Sequence, residues 1–100
     1  MKKDAIIELE KIFKLLSNKQ RLIILELLRE RPYSVSEITA CLGMEQSAVS
    51  HQLKLLREAK LVEAEKHGRE MLYGLGDSHI LILLDNALKH VHHTIIEHID

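Results

Sequence analysis

The sequence is poor in aromatic residues, proline, glycine and cysteine. Aromatic residues make up 3% of its 100 positions, none of them tryptophan, and there are one proline, four glycines and one cysteine. A core without large rings must be built from Leu, Ile, Val and Ala, a mixture that favours packed helices over a β-sandwich. The single Cys41 excludes an intrachain disulfide, so the fold does not depend on an oxidising compartment. These absences predict one mainly helical domain over residues 1–100.

A long apolar run and a strong net charge are also missing. No stretch of about 18 apolar residues could span a bilayer, and the N-terminus lacks the apolar region of a secretory signal, so we expect a cytoplasmic protein without a membrane partner. The net charge of −1 gives no overall attraction to nucleic acid, so a DNA-binding surface must be local. Hydrophobic residues nevertheless make up 46% of the chain, more than so short a helical protein readily buries in one copy. This surplus predicts a homodimer.

Helical spacing of apolar residues begins at the N-terminus. Residues 4–16 repeat apolar side chains at steps of three and four, which is typical of an amphipathic helix. Ser17 with Gln20 three residues later has the form of a capping box and predicts the start of a second helix, which Pro32 ends.

A second capping box, Ser34 with Glu37, predicts a short third helix that ends at Gly43. Its expected apolar stripe consists of Ile38, Cys41 and Leu42. Cys41 could be a redox-sensing thiol, but a place on this stripe favours a buried and inert residue.

A fourth helix, over about residues 45–58, is followed by a change to period two. From 61 to 75 the alternation of apolar and polar residues predicts a β-hairpin with its turn at His67 and Gly68. Two helices joined by a tight turn and followed by a hairpin are the order of a winged helix-turn-helix, in which the second helix of the pair enters the major groove. We therefore expect about five helices with a small β-hairpin wing.

The outer face of the fourth helix is short, polar and free of acidic residues. Amide, hydroxyl and imidazole groups near its start can hydrogen-bond base edges, and cations further along can hold phosphates, with two more cations at the hairpin tip. The candidate DNA-binding residues are Gln46, Ser47, Ser50, His51, Lys54, Arg57, Lys66 and Arg69. An isolated helix of this kind would be an ordinary solvated face, but the hairpin after it favours DNA binding. Ser47 and His51 could be imagined as a nucleophile and its base, yet no third orienting group is recognisable, so we expect no enzyme.

The last helix, over about residues 77–98, is rich in histidine. At about 100° per residue, His90 and His93 lie within roughly 40° of His79 on one stripe of this helix. His92 and His98 point away from the stripe, so we interpret them as solvated or capping residues. Histidines at the C-terminal end of a helix also suit its dipole, which is the alternative explanation for this tail.

Distance decides how the stripe could bind a metal ion. Eleven helical residues separate His79 from His90 by about 16 Å, whereas zinc holds its ligands at about 2 Å. If two copies pack their last helices antiparallel, Asp77 and His79 of one chain meet His90 and His93 of the other, which gives two identical sites. Residues 80–84 are apolar almost all round, as expected between a core and a partner.

The four predicted ligands are nitrogen and oxygen donors without thiolate. This set favours zinc, or cobalt or nickel, over soft metal ions. With all four positions filled by protein, no position is left for an activated water, and a His-Glu-x-x-His motif is missing, so we do not expect hydrolysis.

The chain resembles the ArsR/SmtB family of metal-sensing winged-helix repressors from residue 9 to 93. The resemblance is strongest in the run 46–57, followed by residues 61–62 and by 68–73 of the wing. It implies that the stretch with Ser47, Ser50 and His51 lies on a recognition helix.

The tail Asp77-x-His79, ten further residues and His90-x-x-His93 resembles the fifth-helix zinc site of some family members at all four positions. The resemblance implies a metal-free dimer that binds operator DNA, and a metal-bound dimer that releases it to derepress a gene for metal efflux or sequestration.

The sequence also departs from some family members. Ser34 and Val35 stand where a thiolate metal site would begin and Cys41 lies outside it, which disfavours lead and cadmium. Glu45 replaces the serine that often caps the recognition helix, so that cap is expected to be weaker.

Two other interpretations remain open at this point. One is a winged-helix DNA-binding regulator that responds to a signal other than metal, and the other is a helical interaction module that does not bind DNA.

Overall fold

The computed structural model describes the backbone of residues 2–98 and the side chains of residues 2–94. Within these residues five helices and three strands follow one another along the chain. They are α1 (Lys3–Leu16), α2 (Lys19–Glu30), β1 (Tyr33–Ser34), α3 (Val35–Leu42), α4 (Gln46–Glu58), β2 (Val62–His67), β3 (Glu70–Leu75) and α5 (Ser78–His98).

The buried apolar side chains of α2, α3, α4, β2 and α5 form one cluster. Its members include Ile24, Leu25, Leu28, Ile38, Val49, Leu53, Leu56, Leu61, Val62 and Leu84. Nearly all are aliphatic, as the shortage of aromatic residues requires. Because the three apolar residues of α4 all point into this cluster, the opposite face of α4 is left to solvent.

The caps of α2 and α3 fix where these helices begin. At α3 both bonds of the predicted box form: the Glu37 N–H donates to Ser34 Oγ, and the Ser34 N–H donates to Glu37 Oε1 at 3.0 Å. The Ser34 N–H, followed by the Arg31 guanidinium, holds the pKa of the Glu37 carboxyl below its ordinary value. The prediction that Ser17 caps α2 is wrong by one residue. Asn18 caps it instead, because the Ser17 N–H closes the last turn of α1 on Phe13 O at 3.0 Å.

The predicted hairpin is confirmed as the antiparallel pair of β2 and β3. Its register runs from Val62 opposite Leu75 to His67 opposite Glu70. The turn is therefore Gly68 with Arg69, not His67 with Gly68. Gly68 has a φ of 63°, which a glycine adopts without strain, so it takes the first position of the two-residue turn.

The short strand β1 is an addition that the sequence did not predict. Tyr33 and Ser34 pair with Tyr73 and Leu72 of β3, so that the sheet has three strands in the order β1, β3, β2. Two residues are too few to show an alternating pattern. The pairing attaches the wing to the segment between α2 and α3.

The expectation that Cys41 is buried is wrong, since its side chain is exposed. Ile38 is fully buried and Leu42, one turn later, is half-buried. The apolar stripe of this eight-residue helix is narrower than predicted, and Cys41 lies beyond its edge.

The order of elements confirms the predicted winged helix-turn-helix. α3 and α4 are the helix pair, joined through Gly43, which ends α3 in the left-handed conformation with a φ of 65°. β2 and β3 form the wing directly after α4. In residues 2–98, the helices are all too short or too polar to cross a membrane.

We predict that Ser34→Ala lowers the free energy of unfolding by about 1 kcal/mol, because it removes the acceptor of one bond of the α3 capping box. Urea denaturation followed by circular dichroism measures the change. Ser36→Ala, at an exposed position of the same helix, is the control and should have a smaller effect. Equal destabilisation by the two substitutions would contradict the assigned role of the cap.

Candidate functional site

The outer face of α4 is exposed along its whole length. All six candidate DNA-binding residues predicted on it are exposed, namely Gln46, Ser47, Ser50, His51, Lys54 and Arg57. The backbone of Glu45 occupies the N-cap position, but its side chain makes no capping bond, as its departure from serine predicts. The start of α4 therefore presents N–H groups that a phosphate can approach.

The wing tip carries the other two candidates. Both are exposed: Lys66 lies near the end of β2, and Arg69 lies in the turn itself. Glu65 lies on the opposite face of β2 from Lys66, and the His67 Nε2 is 3.5 Å from its Oε1. The wing thus presents cations at its tip and carboxylates along one face, so only its tip suits an anionic partner.

The C-terminal end of α4 is closed by a Schellman motif. The Leu61 N–H donates to Leu56 O and the Lys60 N–H to Arg57 O, both at 2.9 Å. Lys60 has a φ of 62° at the position where glycine is usual, a strained conformation for a lysine. The surrounding contacts must hold this turn in place.

Gly76, just before α5, supplies one of these contacts. Its N–H donates to Leu61 O at 3.0 Å, and a Cβ added here would lie 2.2 Å from Lys60 O. Only glycine allows the two backbones to come so close. An open cavity of about 340 Å³ beside this contact is lined by residues of both segments, among them Arg57, Lys60 and Asp77. The start of α5 therefore lies directly against the end of α4.

Asp77 and His79 lie together at the N-terminal end of α5. Asp77 Oδ1 accepts hydrogen bonds from the His79 N–H at 2.9 Å and the Ile80 N–H at 3.2 Å, which confirms Asp77 as the predicted N-cap. The His79 Nδ1 is 3.6 Å from the same oxygen, and its side chain is 87% exposed. Since the cap uses Oδ1, Oδ2 is the oxygen available to a metal ion.

His90 and His93 lie in the C-terminal half of α5 and are both exposed. His93 lines an open cavity of about 460 Å³ between α5 and α2 together with His92, Arg29 and Asp85. His92 is exposed, as predicted, whereas the side chain of His98 lies outside the described residues. The structure thus places the four candidate ligands as two separate pairs along one helix.

Arg29 ties α2 to α5 beside the second pair. Its Nη1 donates to Asp85 Oδ1 at 2.5 Å and its Nη2 to Glu26 Oε1 at 2.9 Å. The bond to Glu26, followed by the one to Asp85, raises the pKa of Arg29 above its ordinary value. Fifty-six positions separate Arg29 from Asp85, and sequence reasoning did not find this pair.

Among the side chains of residues 2–94, no three metal-ligating groups come together within one protomer. Ten residues lie between His79 and His90 at about 1.5 Å per residue, so a straight helix keeps the two pairs apart. A site built from all four predicted ligands would therefore require a second copy of α5.

Large apolar surfaces are left uncovered on α1 and α5. Ile6 and Phe13 on α1 are 49% and 52% exposed, although they belong to the predicted amphipathic stripe, and Ile82 on α5 is 55% exposed. An apolar groove of about 350 Å³ runs between α2 and α5 along Leu22, Leu88 and neighbouring side chains. Surfaces of this kind mark interaction sites in most proteins.

The exposed outer face of α4, which carries no acidic residue from Gln46 to Arg57, and the wing that follows it define a DNA-binding winged helix-turn-helix protein. Comparison with known families agrees: residues 18–64 match the model of the arsR family of bacterial regulatory proteins. The chain is 46% identical over 78 residues to the HTH-type transcriptional regulator NmtR of Mycobacterium tuberculosis, covering 78% of this chain and 65% of NmtR. It is 31% identical over 91 residues to the transcriptional repressor SmtB homolog of Synechocystis, covering 91% of this chain and 69% of that protein.

A solved structure shows the same architecture. The homodimeric winged helix-turn-helix DNA-binding domain of Mb0332 from Mycobacterium bovis superposes with a TM-score of 0.89 at 25% identity, over 97% of this chain and 90% of that one. The chain belongs to the ArsR family of transcriptional regulators.

Gly76→Ala is predicted to lower the free energy of unfolding by about 1–3 kcal/mol, because the added methyl group meets backbone that cannot move aside. Gly74→Ala is a matched control two residues earlier, where the new Cβ would meet only Pro32 Cγ at an ordinary 3.8 Å. Thermal unfolding of both variants measures the difference. If Gly76→Ala is as stable as Gly74→Ala, the close contact with Lys60 is not a feature of the folded protein.

Proposed function

We propose that this protein is a metal-responsive transcriptional repressor that acts as a homodimer. The metal-free dimer binds operator DNA through α4 and the wing tip. Zinc, or cobalt or nickel, is held by Asp77 and His79 of one subunit with His90 and His93 of the partner subunit, and its binding releases the DNA. The observation that carries this proposal is the placement of the four candidate ligands as two exposed pairs that a single α5 keeps apart.

The homodimer is supported by the apolar surfaces that one copy leaves open. Fully burying a side chain such as Phe13 is worth about 1.5–3 kcal/mol, and several such residues on α1 and α5 are half exposed. A second copy would cover them at a twofold interface. The homodimeric state of the Mb0332 domain agrees with this arrangement.

The donor set fits a divalent metal ion of intermediate softness. One carboxylate and three imidazoles are ligand types that zinc accepts in tetrahedral sites. Asp77 and His79 already lie side by side, and the cap holds Asp77 in one orientation. Bound there, the ion would supply a positive charge that joins the two subunits.

The contact of Gly76 with Lys60 supports a short route from these ligands to DNA. Asp77 follows Gly76 in the chain, and Gly76 lies against the strained turn that ends α4. A displacement of Asp77 would therefore be felt at the end of the recognition helix without passing through the core. Couplings between such sites are typically about 1–3 kcal/mol.

Paired DNA-binding isotherms, with and without zinc, test the function as a whole. We expect tight binding of the zinc-free protein to palindromic operator DNA and a loss of affinity of roughly ten- to hundredfold with zinc, the usual size of such coupling. Isotherms that do not change with zinc, cobalt or nickel would reject metal sensing and would favour a regulator of the same fold that responds to another signal.

We predict that His79→Ala abolishes metal sensing while metal-free DNA binding is retained. Cobalt absorption spectra measure the site directly, because a tetrahedral site gives strong visible bands. His92→Ala is the matched control on the same helix and should keep both the bands and the zinc effect. Loss of DNA binding by metal-free His79→Ala would show instead that this end of α5 is structural.

Lys54→Ala is predicted to weaken binding to all DNA sequences alike and to reduce the slope of log affinity against log salt by about 1, because one phosphate contact is lost. Ser50→Ala, one turn earlier, should instead weaken binding to the operator more than to unrelated DNA. Fluorescence anisotropy over a series of salt concentrations measures both effects. Lys14→Ala removes an exposed charge that belongs to α1 and not to α4 or the wing, and an equal reduction of the salt slope in this variant would contradict the assignment.

A further inference from the structure

Arg21, in the first turn of α2, is bonded to two other helices. Its Nε donates to Gln52 Oε1 of α4 at 2.6 Å, and its Nη1 donates to the carbonyl oxygen of Leu15 in the last turn of α1 at 3.3 Å. Its own N–H donates to Asn18 Oδ1, the cap of α2, at 3.0 Å. A single residue thus connects α1, α2 and α4.

The chemistry of these bonds fixes the relative orientation of the groups that they join. The Leu15 carbonyl is one of the last four of α1, which have no partner within their own helix. A guanidinium donates through a rigid planar fork, and its charge strengthens each bond. Arg21 and Gln52 are both half-buried, so water competes less for these bonds than at an open surface. The fork therefore fixes the direction of Gln52 relative to the end of α1.

Elsewhere α1 and α4 do not pack closely against each other. An open groove of about 450 Å³ separates them and is lined by Ile12 and Leu15 from one side and Leu55 from the other. The closest packing of α4 is against α3 and β2. Arg21 is thus a polar link across the groove between the two helices.

We infer that Arg21 is a positioning residue that, through Gln52, holds the recognition helix at a fixed orientation to α1 and so sets the operator half-site spacing. The inference rests on the proposed function, because α1 carries an apolar surface assigned there to the dimer interface. In a symmetric dimer the distance and angle between the two recognition helices decide which half-site spacing fits, with centres about one helical turn of DNA apart.

The test compares operators whose two half-sites are moved apart or together by one base pair. The unaltered protein should prefer one spacing. Arg21→Met and Gln52→Leu should each reduce that preference by roughly tenfold, the effect of one charged hydrogen bond. The double variant should lose no more than either single one, since both remove the same bond. Gln52→Glu keeps an acceptor for Arg21, so it should keep the preference even though its new charge lowers affinity at every spacing.

Lys14→Met is the charge control, because it removes one exposed cation from α1, and it should keep the spacing preference. Equal loss of affinity at every spacing in Arg21→Met and Gln52→Leu would overturn the inference. It would mean that these two side chains contact a phosphate or a base directly and do not orient α4. Unchanged binding in both would overturn it as well. If Arg21→Met fails to fold, Gln52→Leu alone gives the same readout. Failure of the unaltered protein to bind any palindrome would instead contradict the proposed function.

Discussion

Burial of one face of α4 is the interaction on which the rest of the molecule depends. Val49, Leu53 and Leu56 are almost wholly inaccessible, and they pack with Ile24 and Ile38 from the two preceding helices. Three fully buried aliphatic side chains contribute about 5–9 kcal/mol before the entropy cost of ordering them. This packing decides which face of α4 stays in water, and the polar residues that can meet DNA lie on that face. A change in the orientation of α4 would therefore disturb the core and move the polar residues that can meet DNA at the same time.

The same core leaves α1 and α5 only partly covered. α1 has no buried residue, and Leu84 is the buried apolar residue of α5 among its described side chains. These helices are thus attached to the domain but not enclosed by it. The sequence shows the same imbalance, because its apolar content exceeds what one small chain can bury. A second copy would supply the missing cover and would also bring together ligand pairs that one α5 keeps apart.

Patterns with a short range in sequence predict most of the fold and the members of the candidate site. The caps of α3 and α5, the wing and the exposed face of α4 follow from spacing alone, because they depend on residues three or four apart or on alternation. Spacing does not predict features that depend on residues far apart in the sequence. Neither the link from Arg21 to Gln52 nor the pairing of Tyr33 with Tyr73 has a local signal in the sequence. The need for glycine at position 76 is visible only in the structure, where the backbone of Lys60 lies against it. Cys41 was assigned wrongly since a short helix buries a narrower stripe than its composition suggests.

The weak attachment of α5 has a consequence for how the protein could switch. Its described contacts with its own protomer include the packing of Ile80 and Leu84 against the core, the apolar groove shared with α2 and the ion pair of Asp85 with Arg29. The ion pair is about one third exposed, and pairs at such positions contribute about 1 kcal/mol or less. A shift of α5 that breaks only this ion pair would therefore cost no more than the coupling of about 1–3 kcal/mol that a regulatory ligand typically supplies. A helix buried on all sides could not be moved by so small a free energy. Among its described side chains α5 buries one apolar residue, Leu84, so a shift at its first residues would reach the end of α4 through Gly76.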